Sequence, residues 1–154
     1  MSKVYRFTAE QFIPATIPTV WEFMSSPENL KHITPASMNF EILENSAAGP
    51  MYAGMIILYK VSPLPFTRVR WVTEITHVEP LKYFVDEQRF GPYTFWHHKH
   101  FLEEVNGGVI MRDIVDYKIP FGWLGDFANS ILVSKKLRQI FAFRKQALEK
   151  YFPS

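Results

Sequence analysis

Residues 84–118 read FVDEQRFGPYTFWHHKHFLEEVNGGVIMRDIVDYK. Gly91-Pro92 and Asn106-Gly107-Gly108 divide this stretch into three strands, Phe84–Arg89, Phe95–Glu104 and Val109–Lys118, the second break being a strong hairpin signal. In a strand, alternate residues share a face. One phase holds Asp86 and Gln88, then Trp96, His98, His100 and Leu102, then Met111, Asp113, Val115 and Tyr117, with Phe84 alongside. If that face is buried, carboxylates, imidazoles and an amide sit inside an aromatic wall, which is costly unless they pair or meet a ligand. In the middle strand the opposite phase competes, because Phe95, His97, Lys99, Phe101 and Val105 also alternate. Pattern alone leaves both registers open.

Working outward, Lys3–Ile13 reads as a strand, and Pro18 opens a short helix, Thr19–Met24. A second short helix begins at Ser26-Pro27-Glu28, with Ser26 as N-cap, and stops before Pro35. Strands follow at Asn39–Leu43, Tyr52–Val61, Thr67–Val78 and Tyr83–Arg89, separated by Asn45–Pro50, Ser62-Pro63-Leu64-Pro65 and Glu79-Pro80-Leu81-Lys82. Past Trp123 the period changes. Leu124, Phe127, Ala128, Ile131, Leu137, Ile140, Phe141, Ala147, Leu148 and Tyr151 fit one helical stripe. A helix of nearly thirty residues spans about 45 Å, enough to cross a domain.

The order predicts an α+β fold: a curved, seven-stranded antiparallel sheet wrapped around a long C-terminal helix, with two short helices after the first strand. The sheet's apolar face needs a cover, and the terminal helix is the one element large enough to supply it. Space left between them would hold a ligand. The 154 residues are read as a single domain spanning 1–154.

Composition narrows the function classes. Aromatic residues are abundant, with 14 Phe, 7 Tyr and 4 Trp, which suits an aromatic core or the lining of an apolar cavity. With no Cys there are no disulfides, thiolate metal sites or Cys nucleophiles. A formal charge of +2 is no polycation, and the basic cluster Lys135, Lys136, Arg138, Arg144 and Lys145 reads as a solvated helix face rather than a nucleic-acid patch. No run reaches the roughly 18 apolar residues of a membrane span, so a cytoplasmic protein is expected, with no nucleic-acid partner. Phosphate loops, serine-nucleophile elbows and dinucleotide glycine patterns are missing.

Phe12-Ile13-Pro14-Ala15, Val20-Trp21-Glu22-Phe23 and Pro27-Glu28-Asn29-Leu30 resemble the opening of the helix-grip (SRPBCC) superfamily, which includes START lipid-transfer domains, birch-type pollen allergens and polyketide cyclases and dehydrases. The resemblance covers essentially the whole chain. Asp86-Glu87-Gln88, Gly91-Pro92-Tyr93, Trp96, His98, His100, Met111, Asp113, Pro120-Phe121-Gly122 and Leu124-Gly125 are similar to segments of its bacterial cyclase/dehydrase-like, ligand-binding branch. That likeness implies a helix-grip fold and a hydrophobic small-molecule pocket, but no defined reaction, since one scaffold carries many functions.

The candidate ligand-binding residues are Tyr59, Trp71, Asp86, Gln88, Trp96, His98, His100, Asp113, Tyr117, Phe127 and Ile131. If the cavity is catalytic, as a cyclase or dehydratase using acid/base chemistry, the candidates are His98, His100 and Asp113. Asp113 paired across the strands with His98 or His100 would fix a tautomer and raise the imidazole pKa. Equally, the same pairing would satisfy a buried network without any substrate. The His98-x-His100 pair could chelate a metal with Asp86 or Asp113, but no spacing demands it, and neither metal nor cofactor is expected. A third reading is an interaction module presenting Ser62–Phe66 and the terminal helix to an unknown protein partner or a membrane surface. On the outer face, Glu74 can reach Arg89 or Arg112.

Overall fold

Hairpin succession dictates the sheet. The computed structural model describes residues 3–45, 49–122, 124, 127 and 129–154. Its strands are β1 (Tyr5–Ile13), β2 (Glu41–Asn45), β3 (Ile56–Val61), β4 (Val69–Glu79), β5 (Tyr83–Phe90), β6 (Phe95–Val105) and β7 (Gly108–Lys118). They form one sheet in the order β1-β7-β6-β5-β4-β3-β2, antiparallel throughout. Between β6 and β7 the loop is Asn106-Gly107, with Val105 opposite Gly108 and Gly107 at a φ of +84°. Gly108 is required for another reason: a Cβ there would lie 2.3 Å from the carbonyl oxygen of Ile13.

Several boundaries differ from the sequence expectation, each for a local reason. The strand expected from Tyr52 begins at Ile56, because Gly54 takes a φ of +97° and bonds its N–H to Ile75 O at 2.7 Å. The strand expected from Asn39 begins at Glu41, Asn39 being left-handed with φ 44°. Helix α1 covers Ile17–Met24 with Pro18 in its first turn. The second short helix is a 3₁₀ segment, Pro27–His32, in which Ser26 makes no side-chain cap, and a further 3₁₀ turn follows at Ala36–Met38. Register shifts between Val72 and Thr73 and between Ile75 and His77 put bulges in the β4–β5 ladder, which bend and twist the sheet.

The C-terminal helical path is not one uniform helix. Gly122, Leu124 and Phe127 are helical, a π-helical segment occupies Asn129–Val133, and the α-helix α2 is Ser134–Tyr151, 18 residues and about 27 Å long. Trp123, Gly125, Ala128 and residues 46–48 of the turn lie outside the described residues. A π turn takes up an extra residue, so a stripe running into it emerges rotated. Phe127 and Ile131, expected on the inward face, are accordingly 67% and 51% exposed, while α2 buries Leu137, Phe141, Arg144, Ala147 and Leu148.

The interior is divided. One apolar cluster joins α1 and the end of α2 to the sheet through Val20, Met24, Ile75, Val109, Met111 and Leu148. A second gathers Val115, Tyr117, Leu137 and Phe141, and a third Met38, Val61 and Trp71. The outer face of the sheet is laced with surface pairs: Arg89 to Glu74 at 2.5 Å and Arg112 to Glu10 at 2.9 Å. Among the described residues no helix is long and apolar enough to cross a membrane.

Candidate functional site

The inward face of β5, β6 and β7 is the one carrying Asp86, His98, His100 and Asp113. Cross-strand register sets Asp86 opposite His98 and His100 opposite Asp113, with β6 between the two carboxylates. Each imidazole meets both acids. His98 places Nε2 2.9 Å from Asp113 Oδ1 and Nδ1 3.4 Å from Asp86 Oδ2. His100 places Nε2 2.6 Å from Asp86 Oδ2 and Nδ1 3.0 Å from Asp113 Oδ1, the latter not aligned as a hydrogen bond. The two rings lie 3.7 Å apart between centroids. Trp96 donates from Nε1 to Asp86 Oδ1 at 3.3 Å. From α2, Arg144 Nη1 reaches Asp113 Oδ1 at 3.4 Å.

Asp113, His100 and His98 are buried, with side-chain exposures of 2%, 5% and 6%, and Asp86 is partly buried at 16%. Burial raises both carboxyls, but their partners win. His100, His98 and Arg144 hold Asp113 far below the usual carboxylate range, and His98, His100 and Trp96 lower Asp86. The histidines part company. Burial lowers both, and for His100 the close approach of Asp113 and the bond to Asp86 outweigh it, so its pKa is raised. For His98, burial together with the neighbouring His100 prevails over the acids, so its pKa is lowered. Asp113 thus raises both imidazoles, and at His98 that rise is outweighed by burial and by the neighbouring His100.

A cavity of about 600 Å³ lies between sheet and helices, within the range of small-molecule sites. Its lining is almost entirely apolar or aromatic and includes Tyr59, Trp71, Asp86, Trp96, His98 and His100 from the sequence-predicted set. Asp113 and Tyr117 are buried behind the lining, Phe127 and Ile131 lie outside it, and α2 with its π segment contributes Leu132, Val133, Leu137, Ile140, Phe141 and Arg144 instead. Exposed lining residues Leu64, Phe121, Leu124 and Leu132 mark where the cavity reaches solvent. Arg144, 8% exposed, corrects its assignment to a solvated basic face. The signal was available, since Arg144 falls three residues after Phe141 and four before Leu148, on the apolar stripe.

Gln88 supports the cavity rather than lining it. Its amide donates to Tyr93 O at 2.6 Å and accepts from Tyr93 N–H at 3.1 Å, latching the β5–β6 connection. Gly91 makes room, for a Cβ there would lie 2.6 Å from Gln88 Oε1. The latch sets Tyr93 against Trp71 and Trp96, at centroid distances of 5.5 and 4.8 Å, and Tyr59 stacks on the far side of Trp71. Tyr59 donates to or accepts from Thr73 Oγ1 at 3.0 Å, and burial with the Asp86 charge pushes its phenol pKa upward. Among the described residues, Trp71 Nε1, Arg144 Nε and His100 Nδ1 are buried without a hydrogen-bond partner.

No protein-family profile and no curated protein sequence matches the chain. Solved structures do. TTHA0849 from Thermus thermophilus superposes with a TM-score of 0.72 at 19% identity over 95% of both chains. Major latex-like protein 151 from Panax ginseng gives 0.68 at 9% identity over 98% of this chain and 99% of its own. A point mutant of norcoclaurine synthase from Thalictrum flavum, in complex with a transition-state analogue, gives 0.69 at 12% identity over 98% of both. At these identities the likeness is one of fold. The chain has a helix-grip fold: a seven-stranded antiparallel sheet, short helices after the first strand and a long C-terminal helix.

Proposed function

We propose that the protein binds a hydrophobic small molecule bearing an oxygen acceptor, between the sheet and α2, with its polar end toward His98, His100 and Arg144. The supporting observation is a cavity of about 600 Å³ whose apolar lining gives way to ionisable groups at one place. An unmet buried N–H costs about 1–3 kcal/mol, and the unpartnered Trp71 Nε1 and Arg144 Nε favour a guest that accepts hydrogen bonds. Anilinonaphthalene sulfonate, an apolar ring system with an anionic acceptor, serves as a probe. Saturable one-to-one fluorescence enhancement is expected, with at least a tenfold loss of affinity in Ile140→Trp, which fills the cavity from α2. Unaltered binding in a folded Ile140→Trp protein would refute the assignment.

A second reading is supported by the 2.6 Å contact between His100 and Asp86 on the cavity wall. An acid/base pair placed there suits proton transfer to or from an enolisable, polyketide-like guest, the chemistry of the cyclase/dehydrase-like branch. A structure of one relative in fold, a synthase, contains a transition-state analogue. For this reading His100→Gln abolishes turnover while probe binding persists.

A further inference from the structure

We infer that Asp86, His98 and His100 form a binding site for a divalent first-row transition-metal ion of the zinc class, facing the cavity. The two nitrogens of each imidazole are divided between two carboxylates with distinct roles. His98 Nδ1 and His100 Nε2 both turn toward Asp86 Oδ2, at 3.4 and 2.6 Å, and one ligand atom from each of the three residues lies within 4.8 Å of the other two. The opposite nitrogens, His98 Nε2 and His100 Nδ1, lie 2.9 and 3.0 Å from Asp113 Oδ1. A metal-ligating histidine characteristically presents its other ring nitrogen to a carboxylate, which fixes the tautomer and strengthens the ligand. Here one acid, Asp113, stands behind both rings. It cannot join the ligand set itself, because the imidazoles separate it from the point where the other three atoms converge.

Two further contacts fit this division. Trp96 Nε1 holds Asp86 Oδ1, leaving Oδ2 as the coordinating oxygen, and Arg144 Nη1 approaches Asp113 Oδ1, balancing the outer carboxylate. Tetrahedral bonds of 2.0–2.1 Å separate ligand atoms by roughly 3.3 Å. The His98–Asp86 separation already has this value, and the His100–Asp86 contact needs to open by roughly 0.7 Å, the metal taking the place of the shared proton. Three protein ligands leave a fourth position free for water or for an oxygen of the cavity's guest. The metal site stands independently of the guest, since its ligands come from the protein alone.

The test is titration of untagged, metal-stripped protein with Co²⁺, followed by visible absorption, and with Zn²⁺ in competition. The chain has five histidines, so the triple variant His32→Gln, His77→Gln, His97→Gln leaves only the pair at the site. That variant is expected to keep one equivalent of Co²⁺ with an unchanged spectrum. His98→Ala or His100→Ala loses the spectrum, and Asp113→Asn weakens affinity about 10–100-fold. Absence of saturable one-to-one binding in the wild type, or its loss in the triple variant, overturns the site without reference to any cluster variant's folding.

Discussion

His97 and His98 are neighbours in the chain and face opposite environments. On the outer face, His97 Nδ1 meets Glu87 at 2.5 Å, each side chain about a quarter exposed, while Asp116 is shared by Arg6 and Lys99 at the surface. On the inner face, His98 is wedged between Asp86 and Asp113, its side chain 6% exposed. Both are imidazole–carboxylate contacts, and the outer one is the shorter. What separates them is the medium: outer charges that lose a partner gain water, and inner ones gain nothing.

That difference can be broken most severely at Asp113. Asp113→Ala strands Arg144 and two imidazoles in the interior, and a destabilisation of about 3–5 kcal/mol is expected from urea unfolding. A cost below 1 kcal/mol would mean that the interior rehydrates when the acid is removed. Asp113→Asn, which keeps the shape, should cost less than Asp113→Ala.

A gentler perturbation is pH. His100, raised in the fold, contributes stability that is complete below the ordinary imidazole value of 6.5 and is lost as pH rises through its folded value. His98, lowered in the fold, has the opposite sign and costs stability as pH falls below 6.5. Together they place the stability maximum near pH 6.5, and the depressed Asp86 and Asp113 add a steeper loss as pH falls below 3.8. Denaturant midpoints measured across pH check this: His100→Gln removes the decline on the alkaline side, and a decline that persists there assigns it to another group.

The smallest effect belongs to the outer face. Glu87→Gln is expected to cost less than about 1 kcal/mol, and less still at high salt. Should it cost as much as Asp113→Ala, medium would not be the deciding variable.

Much of the inner cluster was legible because strands write their faces with period two. Asp86, His98, His100 and Asp113 fell in phase with Phe84, Leu102 and Met111, and the succession of hairpins pointed to the seven-stranded antiparallel sheet. Which phase of β6 faces inward depended on contacts the pattern does not contain, since Phe95, His97, Lys99 and Phe101 alternate as regularly. Arg144 was hidden by company: four other basic residues surround it, and only its place on the Leu137–Phe141–Leu148 stripe sets it apart. Gln88 shared the cavity phase, but its partner is a backbone five residues away, a tertiary detail of the Gly91 turn. Phe127 and Ile131 were placed by assuming a uniform period through residues 129–133, where the π segment changes it.

The perpendicular contact of Trp71 with Trp96, 5.2 Å between ring centroids at 89°, has an optical consequence. Two indoles this close share excitation, and both belong to the cavity wall, so their emission and near-ultraviolet circular dichroism respond together to anything that touches either ring. Trp21, packed edge-on against the lining residue Phe84 at 6.1 Å, is one step removed from that wall. Filling of the cavity by the proposed guest would therefore be readable in the protein's own fluorescence, without a label.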